Sequence, residues 1–168
     1  MKNQKKMKTK QKIAAVILVG IVSAFTPVRA QMTAMPADHL MILPGDIKWI
    51  DGPASLPPGA KSAVIEGDPK VAGLFTMRVK LPANYNVMPH FHPADEHITV
   101  IEGSFYMGVG EKFDEKAAKE IPVGGFGVMI AGTRHFALTK KGCIVQLHGM
   151  GPWGITYVNP GDDPRGKK

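Results

Sequence analysis

Short runs in which apolar and polar residues alternate, each closed by a glycine or proline turn, recur along most of this chain and leave little room for helices. Leu74-Phe75-Thr76-Met77-Arg78-Val79-Lys80-Leu81 alternates cleanly. Side chains on a strand point to opposite faces in turn, so Phe75, Met77, Val79 and Leu81 are expected to face a core, with Thr76, Arg78 and Lys80 facing out. Further strands are predicted at Ala63–Glu66, Val87–His92, His97–Glu102, Ser104–Val109, Gly127–Ile130, His135–Thr139, Ile144–His148 and Ile155–Val158. Turns are expected at Gly67-Asp68-Pro69, Glu102-Gly103, Ala131-Gly132 and Lys141-Gly142. Only Lys112–Lys119 (KFDEKAAK) reads as helical, and it is short. Many short strands with regular turn signals predict an all-β sandwich or barrel. The tail after Asn159 is polar, has two prolines, and is expected to be extended or loosely docked.

The N-terminus follows a different logic. Six lysines fall between Lys2 and Lys12, an uncharged, mostly apolar run extends from Ile13 to Phe25, and Pro27 precedes the small-residue pattern Val28-Arg29-Ala30. This order reads as a secretory signal peptide, residues 1–30, with cleavage after Ala30. The run is shorter than the roughly 20 residues a membrane-spanning helix needs. No cysteine follows the cut to carry a lipid, so no stable membrane anchor is expected after cleavage. The expected location is the periplasm or the exterior. Residues 31–158 are then one β-barrel domain and 159–168 a polar C-terminal tail.

Removing the targeting segment changes the charge argument. The chain has 21 basic and 14 acidic residues, but seven of the basic ones and none of the acidic ones lie in residues 1–30. The remainder carries 14 of each sign and is formally neutral. Nucleic-acid binding, which needs a basic footprint, is not expected. The single cysteine, Cys143, has no intramolecular partner for a disulfide and reads as a small buried hydrophobe.

One segment carries the chemistry. His90-Phe91-His92-Pro93-Ala94-Asp95-Glu96 sets two imidazoles two residues apart, so that on a strand both reach one point, with Phe91 directed away. Glu96 follows the turn Pro93-Ala94-Asp95 and can fold back beside them. Downstream, His135 ends the Gly-rich stretch Gly132-Thr133-Arg134-His135. Three nitrogens and one carboxylate oxygen form a plausible shell for a borderline divalent metal. No nucleophile elbow, phosphate-binding glycine loop or Cys-x-x-Cys pattern competes with this site.

The spacing His-x-His-x3-Glu-x6-Gly, from His90 to Gly103, resembles the first signature of the cupin superfamily. Gly124, Gly132 and His135 match part of the second. Asn84 stands where the first signature often begins with Gly, Ile130 where the second has Pro, and Thr139 where it has Asn. The resemblance covers roughly residues 75–148 and implies a small jelly-roll barrel. It also implies a divalent metal, with iron, manganese or zinc foremost, held inside the barrel by His90, His92, Glu96 and His135.

Neighbouring residues divide between pocket and packing. Gln146 and His148 share one face of their strand and are candidate pocket residues, although simple patterning sends Cys143, Val145 and Leu147 inward instead. Trp153, in the Gly149–Gly154 loop, is read either as a pocket wall or as a plug at one end of the core. His97 is expected on the face opposite Glu96, and Arg134 at the surface or on an anionic substrate. Tyr106, Met107, Phe126 and Met129 are expected to pack the barrel.

The function expected is that of an exported metal-binding cupin, a metal-dependent enzyme of dioxygenase or other oxidoreductase type acting on a small organic molecule. Isomerase or lyase chemistry comes next. The alternative is a non-catalytic binding or sensing cupin with a structural metal. A small-molecule ligand is the expected partner, and a homodimer is compatible with such barrels.

Overall fold

A computed structural model describes residues 39–166, so the expected signal peptide and the start of the domain after it lie outside the described residues. Two antiparallel sheets face each other. The first has the order β1-β2-β3-β10-β5-β8 and the second β11-β4-β9-β6-β7. The strands are β1 (Ile50–Asp51), β2 (Lys61–Glu66), β3 (Gly73–Leu81), β4 (Tyr85–Phe91), β5 (Glu96–Gly103), β6 (Phe105–Val109), β7 (Lys119–Ile121), β8 (Phe126–Met129), β9 (His135–Thr139), β10 (Cys143–Gly151) and β11 (Thr156–Tyr157). Sequence neighbours are often far apart in a sheet, as where β10 inserts between β3 and β5. This is the jelly-roll arrangement.

Alternation explains most of the core. Phe75, Met77, Val79 and Leu81 of β3, with Cys143, Val145 and Leu147 of β10, are buried against Ile98, Val100, Phe105, Met107 and Ala137. Burying each such side chain stabilises the fold by about 1.5–3 kcal/mol, and the two inner faces together supply the main driving force. Burial pushes the Cys143 thiol up to about 11, consistent with its reading as a small hydrophobe.

Two local expectations are corrected, and a third is narrowed. Lys112–Lys119 is not a helix: it makes the turn bonds Ala117 N–H to Asp114 O and Ala118 N–H to Glu115 O, then enters β7, paired with β6. Eight residues cannot offset helix nucleation without an apolar face to bury, and the Asp114 side chain instead accepts from the Lys116 N–H. Phe126 does not pack the barrel interior but is 56% exposed on the outside of β8. Of the two outcomes expected for the tail, it takes the docked one. Pro160–Asp162 and Pro164–Gly166 form 3-10 turns, and Arg165 donates to the Ile155 carbonyl at 3.1 Å. Tyr106 is half-buried beneath Lys140, while Met107 is buried and Met129 packs against the core.

Candidate metal centre

Strict alternation from Val87 would turn His90 and His92 outward. The pairing of β4 with β9 shifts register between Val87 and His90, around Pro89, which has no N–H to give to a ladder. The shift changes the phase of the strand, so Tyr85 and Val87 face inward before it and His90 and His92 after it. All four are buried. The irregularity also frees the Met88 carbonyl to meet His90 Nδ1 at 2.7 Å.

His135, at the start of β9, is the register partner of His90, and the two rings lie 4.3 Å apart between centroids. Glu96 begins β5 with its side chain inward and His97 outward, as alternation requires. The turn between β4 and β5 is tied to the loop before His135. Gly132 N–H donates to the His92 carbonyl at 2.9 Å, and Ala131 N–H to Asp95 Oδ1 at 2.8 Å. Asp95 thus holds the two histidine-bearing segments together without being part of the cluster.

The nitrogens of His90, His92 and His135 lie within 4.8 Å of one another. Glu96 Oε1 is 3.5 Å from His92 Nε2, and its Oε2 is 3.3 Å from His135 Nε2. Ligands bonded to one ion at about 2.0–2.2 Å sit roughly 3 Å apart when adjacent, so modest contraction around an ion suffices. Every ring is held by its other nitrogen: His90 Nδ1 on Met88 O, His92 Nδ1 on Gly154 O at 2.7 Å, and His135 Nδ1 on Thr133 O at 2.9 Å. Donation from Nδ1–H leaves the Nε2 lone pairs directed into the site, the outer-shell arrangement typical of ligating histidines.

Burial, with the His135 and His92 rings beside it, pulls the His90 imidazole down to about 3, so it stays neutral as a ligand must. Burial alone would raise the Glu96 carboxyl, but the His135 and His92 rings outweigh it and hold the group below its ordinary value. The decisive observation is what remains unpaired. His92 Nε2, His135 Nε2 and Glu96 Oε2 are buried without a hydrogen-bond partner. Each such atom costs about 1–3 kcal/mol uncompensated, and a divalent cation compensates all of them. The residues present fit a metal ion.

The site opens on a cavity of about 60 Å³ between the sheets. Trp153 lines it, stacked on His92 with centroids 4.3 Å apart and planes within 17°, and packed on Phe75 at 5.7 Å. It serves as pocket wall and core plug together. Gln146 and His148 do not reach the cavity. They lie on the outer face of β10, where Gln146 Oε1 accepts from Arg78 Nε and His148 stacks on His97. Their strand keeps the apolar side inward because the inner wall is made of core residues, leaving the polar side to solvent. Arg134 also lies outside the cavity, over the Phe91 ring and bonded to Gly132 O.

The chain matches no family model, and no curated protein matches it. Its fold, by contrast, closely resembles those of several solved structures. The polyketide cyclase RemF from Streptomyces resistomycificus superposes with a TM-score of 0.60 at 18% identity, over 76% of this chain and 90% of that one. An RmlC-like cupin from Shewanella frigidimarina gives 0.52 at 15% identity, over 68% and 91%. The fold is that of the cupin superfamily. A candidate acetylacetone dioxygenase from Methylibium petroleiphilum gives 0.57 at 19% identity, over 79% and 90%.

Within this cupin barrel the departures from the expected signatures have physical explanations. Asn84 adopts φ 57°, the left-handed conformation that glycine supplies elsewhere and that asparagine tolerates better than other residues. Thr139 donates to Ser104 O at 2.8 Å and accepts from Gly142 N–H at 3.1 Å, fixing the turn between β9 and β10. Gly103 has φ 75°, and a Cβ there would collide with the Gly142 carbonyl, so only glycine fits. Ile130 is exposed beside the turn into Gly132, and nothing in the structure requires proline there.

Proposed function

We propose that this protein is an exported, metal-dependent cupin oxidoreductase of dioxygenase type acting on a small organic molecule. The observation that carries the reading is the buried, inward convergence of His90, His92, His135 and Glu96 with unpaired ligand atoms beside a cavity. When bound there, a redox-capable divalent ion such as iron or manganese supplies Lewis-acid and electron-transfer chemistry. The chain does the rest. Met88 O, Gly154 O and Thr133 O orient the rings, Glu96 supplies the single negative charge, and the apolar wall excludes bulk water. Similarity in fold to a candidate acetylacetone dioxygenase supports this reaction class. Export rests on the character of residues 1–30.

The test is elemental analysis of protein purified from its own compartment, followed by dioxygen uptake across a panel of diketones and small organic acids. Iron or manganese with substrate-dependent uptake is the expected result. Protein without metal defeats the reading.

A second reading is favoured by one feature: beyond the four ligands, the described cavity wall offers no further carboxylate, lysine or histidine to act as acid or base. In that case the protein binds or senses its ligand through a structural metal, and saturable binding without turnover is the outcome.

A further inference from the structure

The cavity wall restricts the ligand more narrowly than the metal site does. Beyond His90, His92, Glu96 and His135, the side chains around it are apolar, among them Met77, Ile98, Phe105, Met107, Val145 and Leu147, with Ser55 and Trp153 as the only other polar ones. No arginine or lysine lines it among the described residues. The guanidinium of Arg78 is engaged on the outer face with Gln146, and that of Arg134 with Gly132 O and Phe91. A divalent ion with one ligating carboxylate leaves a net single positive charge and no second cation nearby.

The geometry points to a ligand with one oxygen–oxygen chelating head carrying a single negative charge and an otherwise small, apolar body, such as the enolate of a 1,3-diketone. This inference rests on the metal reading above and deepens it. A dianion placed there leaves one charge buried and unmatched, which lowers affinity by at least about a hundredfold. Sugar phosphates and dicarboxylates are thereby disfavoured. Each methylene that enters the apolar wall raises affinity by about fourfold until the space is filled. A neutral diketone binds as its enolate by releasing one proton to solvent.

The experiment uses the full exported chain loaded with zinc, which binds without turnover, and measures zinc content first. Calorimetric titrations with pentane-2,4-dione, heptane-3,5-dione, oxalate and malonate follow, each affinity normalised to the same ligand's affinity for aqueous zinc. The diketones are expected to bind with about one proton released, read from the heats in two buffers, and heptane-3,5-dione about sixteenfold more tightly than its shorter analogue. Both dicarboxylates should fall at least about a hundredfold below. Val145→Ala, which widens the wall and alters none of His90, His92, Glu96 and His135, should increase the preference for the longer diketone.

Zinc retained with equal or tighter dicarboxylate binding overturns the ligand class and leaves the metal centre standing. Failure to hold zinc overturns the metal reading and the ligand class with it. An unaltered chain-length preference in Val145→Ala, with the variant folded and zinc-loaded, overturns the placement of the apolar body against this wall.

Discussion

Two histidine groups sit back to back across the start of β5, and they make an instructive contrast. Inside, His90, His92 and His135 are buried and converge, each fixed through Nδ1 by a backbone carbonyl. Outside, His97 and His148 are cross-strand partners on β5 and β10, stacked with centroids 4.9 Å apart and planes within 18°. Phe126 packs beside both. The outer rings lie face to face, which suits stacking; the inner ones meet at steeper angles and point their nitrogens at a common space. Proximity of imidazoles alone therefore does not equip a group to hold a metal ion. Independent anchoring of each ring and convergence of the free nitrogens do.

The largest effect that could break this contrast comes from removing an inner ring. His135→Ala is expected to reduce bound metal from about one ion per chain to a small fraction of that, read by elemental analysis on protein whose circular dichroism shows it folded. Metal content unchanged by the substitution would make the inner group no different from the outer one.

Acidification is next. In the metal-free protein, His90 has its imidazole lowered to about 3 by burial and its neighbouring rings, and Glu96 also sits below its ordinary value. A lowered histidine contributes stability that is present above its unfolded value, near 6.5, and lost as pH falls toward the folded one. The lowered carboxyl acts in the same direction at still lower pH. Denaturant titrations of the metal-free protein should therefore show stability falling steadily from about pH 6.5 toward pH 3, with a shallower fall in His90→Gln. A flat profile would show that His90 is not held neutral by its surroundings.

Smaller effects sharpen the picture. Trp153→Leu removes the indole stacked on His92 and should weaken metal binding by about tenfold with stoichiometry preserved, as losing an outer-shell support does. Competition with a chromophoric chelator measures it. Smallest of all, His148→Ala should change stability by less than about 0.5 kcal/mol and leave metal content intact. A loss of metal in that variant would return the outer pair to the functional site.

Much of this was legible in the sequence because it depends on local spacing. Nine strands follow from apolar alternation and turn residues, and the interval between His90 and Glu96, together with the Gly-rich approach to His135, anticipates the side chains that the fold brings together. What escaped has a common cause in contacts between distant segments. The shift at Pro89 that turns His90 inward is defined by pairing with β9, so spacing places the two rings on one face without showing how that face comes to point inward. Trp153 and Gly154 reach His92 across the barrel, and no pattern within either segment announces it. Phe126 looks like core by composition but lies on an edge strand whose outer face is open. The helix expected at Lys112–Lys119 fails because its residues favour helix individually while the segment is too short to sustain one.

The segment after β10 has one further consequence, and it concerns rate. Gly154 grips His92 through its carbonyl while Trp153 covers the face of the same ring. With both neighbours in place the ring stays facing the site, so an ion held there would keep His92 within reach even after one of its bonds breaks. Residence time of such an ion would then depend on how often the loop peels away, a local opening event, as well as on the strength of the coordinate bonds. Chelator-driven release should accordingly reach a ceiling as chelator concentration rises, and that ceiling is the opening frequency of the loop.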